Sequence, residues 1–127
     1  MTRRSIHVGS FAHQSPIPNA SRIGNVIASG LIRGADPVTR KFPPTVEEQC
    51  VHMFNNIRLT VEAGGARVED IIKVTFWMQQ LERKPVNDEW VKMFPSAEQR
   101  PARQIMEVAM EPGVLVQCDI LAVIESR

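Results

Sequence analysis

Four polar side chains share odd-numbered positions near the end of the chain: Arg103 and Glu107, then Gln117 and Asp119. A guanidinium beside an amide and two carboxylates makes a small local site for one carboxylate or phosphate. Other chemistries lack their residues. There is no Gly-rich phosphate motif, and His7, His13 and His52 form no metal-ligand motif. Ser29 lacks the spacing of a nucleophile elbow. Cys50 and Cys118 fall among apolar positions and read as buried structural thiols. Lys and Arg total 15 against 14 Asp and Glu, a net charge of +1. A chain so close to neutral has no global field for a polyphosphate, and neither nucleic acid nor a membrane is an expected partner.

The elements that must position these residues follow from patterning. With 127 residues, 43% hydrophobic and 23% charged, the chain reads as one domain spanning 1–127. Arg4 to Gly9 and Val26 to Ile32 read as strands. Thr45 and Glu48 fit a capping box, and Cys50, Met53, Phe54, Ile57 and Val61 recur at helical spacing. Ile72, Val74, Phe76 and Met78 alternate with Lys73, Thr75 and Trp77, the period of a strand. Pro85 opens a second helix carrying Val86, Trp90, Met93 and Phe94. Two strands follow, about 102–110 and 114–124. The order β-β-α-β-α-β-β predicts an α+β sandwich, a mixed sheet with two helices on one face.

Even-numbered residues of the last two strands are apolar: Met106, Val108 and Met110, then Val114 through Ile124. If the two strands pair as a hairpin through Glu111-Pro112-Gly113, both even sets face the helices. That register predicts Arg103, Glu107, Gln117 and Asp119 on the sheet face the helices leave bare. Such a face is an oligomer interface, a ligand cleft or a solvated surface. Pro16 and Pro18 break any presequence helix, no apolar signal segment is present, and two cysteines suit a reducing compartment, so a cytoplasmic protein is expected.

Several segments together carry a resemblance. They are Gly24-Asn25-Val26-Ile27-Ala28-Ser29-Gly30, Glu48-Gln49, Asn55-Asn56-Ile57, Ala63-Gly64-Gly65, Asp70 to Thr75, Val86-Asn87-Asp88-Glu89-Trp90, and Arg100-Pro101-Ala102-Arg103 followed by Glu107-Val108-Ala109. The chain resembles the RidA/YjgF reactive-intermediate deaminase family, also known as L-PSP endoribonuclease-like. The resemblance implies a chorismate-mutase-like domain, a homotrimer with ligand clefts between subunits, and no metal or organic cofactor. It implies hydrolysis of enamines and imines such as 2-aminoacrylate to 2-oxo acids and ammonia. Arg103 would grip the substrate carboxylate, with Ser29, Gly30, Ile17, Asn87 and the backbone N–H of Ile105 lining the cleft. The family's cysteine two residues past that arginine is Ile105 here. Its loop tyrosine has no counterpart, and Ile17 stands near that place. Its water-orienting glutamate falls on Gln117, with Asp119 at a second acidic position. Gln117 can hold water but cannot take its proton. Two alternatives follow: a non-catalytic trimeric binder of small carboxylates, or a specialised aminomuconate-type deaminase acting in a catabolic pathway. A ribonuclease is disfavoured by the neutral charge and the lack of a paired acid and base.

Overall fold

A computed structural model of the chain describes residues 1–11 and 14–125; His13 lies outside them. The strands are β1 (Arg4–Ile6), β2 (Ala20–Ile23), β3 (Val26–Ser29), β4 (Ile32–Arg33), β5 (Ile71–Met78), β6 (Ala102–Glu107) and β7 (Val116–Val123). The helices are α1 (Val46–Ala63) and α2 (Arg83–Met93). The strands form one sheet in the order β1-β2-β3-β7-β5-β6, with β4 also on β7. Only β5 and β6 run parallel among these pairs, so the sheet is mixed as expected. No helix among the described residues is long and apolar enough to cross a membrane.

Helix α1 begins where the capping residues place it. The Thr45 hydroxyl accepts from the Glu48 N–H at 3.2 Å and donates to the Glu48 carboxylate at 3.0 Å. The stripe Cys50, Met53, Phe54, Ile57 and Val61 is buried against Val74, Phe76, Val116, Cys118 and Ile120 of the sheet. Aromatic rings tie the layers together: Phe54 stacks on Phe76, Phe76 meets Trp90 edge-on, and Trp90 meets Phe94 at 4.7 Å. Gln49 is fully buried and fully used. Its Nε2 donates to the Pro43 and Gly113 carbonyls, and its Oε1 accepts from the Leu115 N–H.

The structure corrects three expectations. Strand β2 was not expected, and the single strand over 26–32 is divided into β3 and β4. Both pieces pair with β7, but Ser29-Gly30-Leu31 oppose only Asp119 and Ile120, so the strand bulges there. The last two strands do not form a hairpin, because β5 lies between them. A parallel crossover through α2 sets β6 beside β5. The chain must then pass the end of β5 to reach β7. Val108 N–H donates to Met78 O and Leu115 O accepts from Gln79 N–H along that passage. Gly113 adopts the expected left-handed φ of 87°, in a turn that serves this crossing. The faces of β6 are reversed in consequence. Arg103 is paired with Val74 and Ile105 with Phe76, so they lie on the helix side, while Met106 is 41% exposed.

Arg40, in the loop before α1, has a φ of 64°, the one positive φ outside glycine among the described residues. Left-handed backbone costs a residue with a Cβ about 1–2 kcal/mol. Arg40→Gly removes that strain at a similar entropic cost. Its melting temperature is expected to match the parent or exceed it by up to about 4 °C. A clear fall in circular-dichroism melting would show that the side chain itself holds the loop.

Candidate active site

Strand β6 is a sheet edge, and α2 returns over it. Asn87 and Trp90, three positions apart, share one face of α2. The Arg103 guanidinium lies 5.0 Å over the Trp90 ring, and its Nη2 donates to Asn87 Oδ1 at 2.5 Å. Its Nη1 is buried with no hydrogen-bond partner. Burial and the nearby Arg83 charge pull the Arg103 pKa below its usual value, but a guanidinium stays cationic. In a parallel ladder alternate residues bond the neighbour. Since Val108 N–H donates to β5, the N–H of Ile105 faces the open edge. Cation and edge donor therefore occupy one place, held by Trp90, which Phe76 and Phe94 fix in turn. Sequence patterning assigned Trp90 only to the core; its spacing from Asn87 was the signal for its second role.

The other expected residues lie elsewhere. Ile17 and Gly30 line a cavity of about 520 Å³, with Arg33, Arg40 and Asn56 among its walls. Asn56 Nδ2 donates to the carbonyls of Arg33 and Ala35, and its buried Oδ1 has no partner. Ser29 is occupied structurally: its hydroxyl accepts the Ile120 N–H at 2.8 Å, closing the gap in the ladder at the bulge. Gln117 sits on β7 between Arg33 of β4 and Trp77 of β5. It shares the bare face with Asp119, whose carboxyl is raised by burial against the opposing pull of Lys73. Glu107 is drawn away from that group and accepts the Leu81 N–H.

The expected residues thus fall into two half-sites. Arg103, Asn87 and Ile105 lie at the β6 edge, while Ile17 and Gly30 lie beyond β7 on the other side. Three strand spacings, about 14 Å, separate β6 from β4 within one chain. The thiols take no part: burial pushes Cys50 up to about 12 and Cys118 well above its ordinary value. No three His, Cys, Asp or Glu side chains among the described residues group to hold a metal ion.

A mixed sheet covered on one face by two helices, with an arginine-bearing edge strand, is an α+β architecture that solved proteins share. The E. coli YjgF gene product superimposes with a TM-score of 0.84 at 28% identity, covering 94% of this chain and 98% of its own. The RidA protein of an Antarctic Psychrobacter gives 0.85 at 25% identity, covering 95% and 99%. The family model described as endoribonuclease L-PSP matches residues 15–124. A protein of E. coli K12 named 2-iminobutanoate/2-iminopropanoate deaminase is 33% identical over 105 residues, 80% of this chain and 81% of that one. The chain belongs to the RidA/YjgF (L-PSP) family.

Proposed function

We propose that this protein hydrolyses imines and enamines of small carboxylic acids, releasing ammonia and a 2-oxo acid. The observation that carries this reading is the Arg103 guanidinium, held over the Trp90 ring and bonded to Asn87, with a buried Nη1 that has no partner. A planar fork of this kind holds a carboxylate in one orientation, and the Ile105 N–H adds a donor at the strand edge. The name of the E. coli relative supports the same chemistry.

The substrate reacts as its iminium; an enamine first takes a proton on carbon. Water held by the Gln117 amide adds to the C=N carbon. The nitrogen takes the proton that water loses, the C–N bond breaks, and ammonium leaves as the C=O forms. From the iminium one water enters and no net proton is exchanged; starting from the enamine, the proton taken on carbon is the one uptake, and it leaves with ammonium. No strong base is needed, because the iminium carbon is already electrophilic, and this suits an amide at 117.

The site is completed between copies in a homotrimer. The distance between the two half-sites across one sheet supports this, as do the exposed Met106 and Val108 beside β6. A second reading, a non-catalytic binder of carboxylates, is favoured by the absence of an acid at Gln117. Both are tested on one sample, with 2-iminobutanoate generated by an amino-acid oxidase. The expected result is ammonia release well above that of the oxidase alone, from a protein that sediments as three chains. Release at background with calorimetric binding of 2-oxobutanoate would establish the binder instead, and a chain sedimenting singly would reject the shared cleft.

A further inference from the structure

The cavity beside Ile17 and Gly30 has features that one α-carboxylate does not require. At about 520 Å³ it falls in the range of small-molecule sites. Among the described residues two arginines, Arg33 and Arg40, line it, and no Asp or Glu does. The Arg33 Nε is buried without a hydrogen-bond partner. Its ion pair with Glu111 at 2.9 Å joins side chains 39% and 66% exposed. So wet a pair holds weakly, and an incoming anion competes with it for the guanidinium. Across the ladder Arg33 faces Gln117. A carboxylate there would neutralise Arg33, whereas the amide leaves its charge available and adds an N–H donor. Arg40 lines the cavity from a backbone at φ 64°, which glycine would adopt without strain. Strain kept at a cavity wall calls for a function of the side chain.

We propose that this cavity is a subsite for a second acidic group, so that the preferred substrate is an imine or enamine with a carboxylate at each end. Arg103 holds the α-carboxylate, and Arg33 and Arg40 take the distal one. The assignment of the α-carboxylate rests on the deaminase reading above; the distal subsite rests on the cavity.

The test compares pairs of equal length that differ only in the terminal group. These are 2-iminoglutarate against 2-iminopentanoate, and 2-iminoadipate against 2-iminohexanoate, each generated by an oxidase at matched flux. The expected kcat/KM is at least about tenfold higher for the diacid of one pair or both, the scale of one charge-assisted contact. Arg40→Gly, chosen because its backbone already suits glycine, should lower the diacid-to-monoacid ratio at least about fivefold, and Arg33→Gln should do the same. Equal turnover within both pairs, or a preference that neither variant moves, overturns the proposal. If no imine is hydrolysed, the deaminase reading fails and calorimetry with 2-oxoglutarate and 2-oxopentanoate decides the subsite. Tighter binding of the diacid that Arg40→Gly weakens upholds it, and equal or undetected binding overturns it.

Discussion

Arg103→Ala is expected to lower kcat/KM for imine hydrolysis about 100- to 1000-fold while the protein stays folded. The guanidinium makes no salt bridge among the described residues. Its contacts are the Trp90 face and Asn87 Oδ1. Each charge-assisted hydrogen bond to a carboxylate contributes about 1.5–3 kcal/mol. A forked pair lost from the transition state therefore costs about 3–4 kcal/mol, which gives that range of rates. Losing the contact with the buried Trp90 ring should cost about 1–2 kcal/mol of stability, the scale of a partly desolvated cation over an indole. Arg103→Lys separates charge from shape. It keeps the cation but cannot fork or lie flat on the indole, so it should recover no more than about a tenth of the lost activity. Steady-state kinetics paired with thermal melting reads both effects. If Arg103→Ala retains activity within twofold of the parent, the guanidinium does not hold the substrate.

This fold was legible wherever one chain decides its own burial. The cap at Thr45, the stripe from Cys50 to Val61 and the buried Val74, Phe76 and Met78 of β5 all follow from local chemistry, although an irregularity at the start of β5 buries Ile71 and leaves the expected Ile72 exposed, and the even residues of β7 are buried as their apolarity requires. Strand β6 was misread because an edge strand is not buried on either face by its own sheet neighbours alone. Its apolar Met106, and Val108 just past its end, are each 41% exposed, while polar Arg103 turns to the helix. Periodicity there reports something other than the core of a single chain. Pairing was misread for a topological reason: adjacent strands in sequence were assumed adjacent in space, and the crossover through α2 overrides that. The site shows the same division. Arg103 and Asn87 stood in motifs, and the structure brings them together. The cationic cavity was not legible, since nothing in the letters places Arg33 near Arg40, and the sign of φ at Arg40 is set by the loop. Ser29 was expected at a ligand; its hydroxyl instead fills a ladder position that the bulge leaves open.

Gly34→Ala is expected to be among the most damaging single-atom additions to this fold, although Gly34 does not need a positive φ. It follows β4, where the chain crosses the first turn of α1. A Cβ there would stand 2.2 Å from the Gln49 carbonyl oxygen and 2.8 Å from the Gln49 carbonyl carbon and Cα. These are backbone atoms, so no rotamer change relieves the clash. Neither partner can retreat. Asn56 grips the carbonyls of Arg33 and Ala35, the residues flanking Gly34. On the other side, α1 is held by the three hydrogen bonds of the buried Gln49 side chain to Pro43, Gly113 and Leu115. Moving the helix would break bonds whose buried partners then go unpaired, at about 1–3 kcal/mol each. The expected loss is about 3 kcal/mol or more, a fall in melting temperature of about 12 °C for a domain of this size. Gly113→Ala is the control: a Cβ there meets nothing within 4 Å, but φ is 87°. It should cost about 1–2 kcal/mol from backbone strain alone. Thermal or urea melting of the two variants orders them, and a Gly34→Ala loss no larger than that of Gly113→Ala would mean that β4 and α1 can part without breaking the Gln49 and Asn56 contacts. Because Arg33 precedes Gly34 and its cavity borders this crossing, the same variant should also weaken the binding of diacids at temperatures where it remains folded.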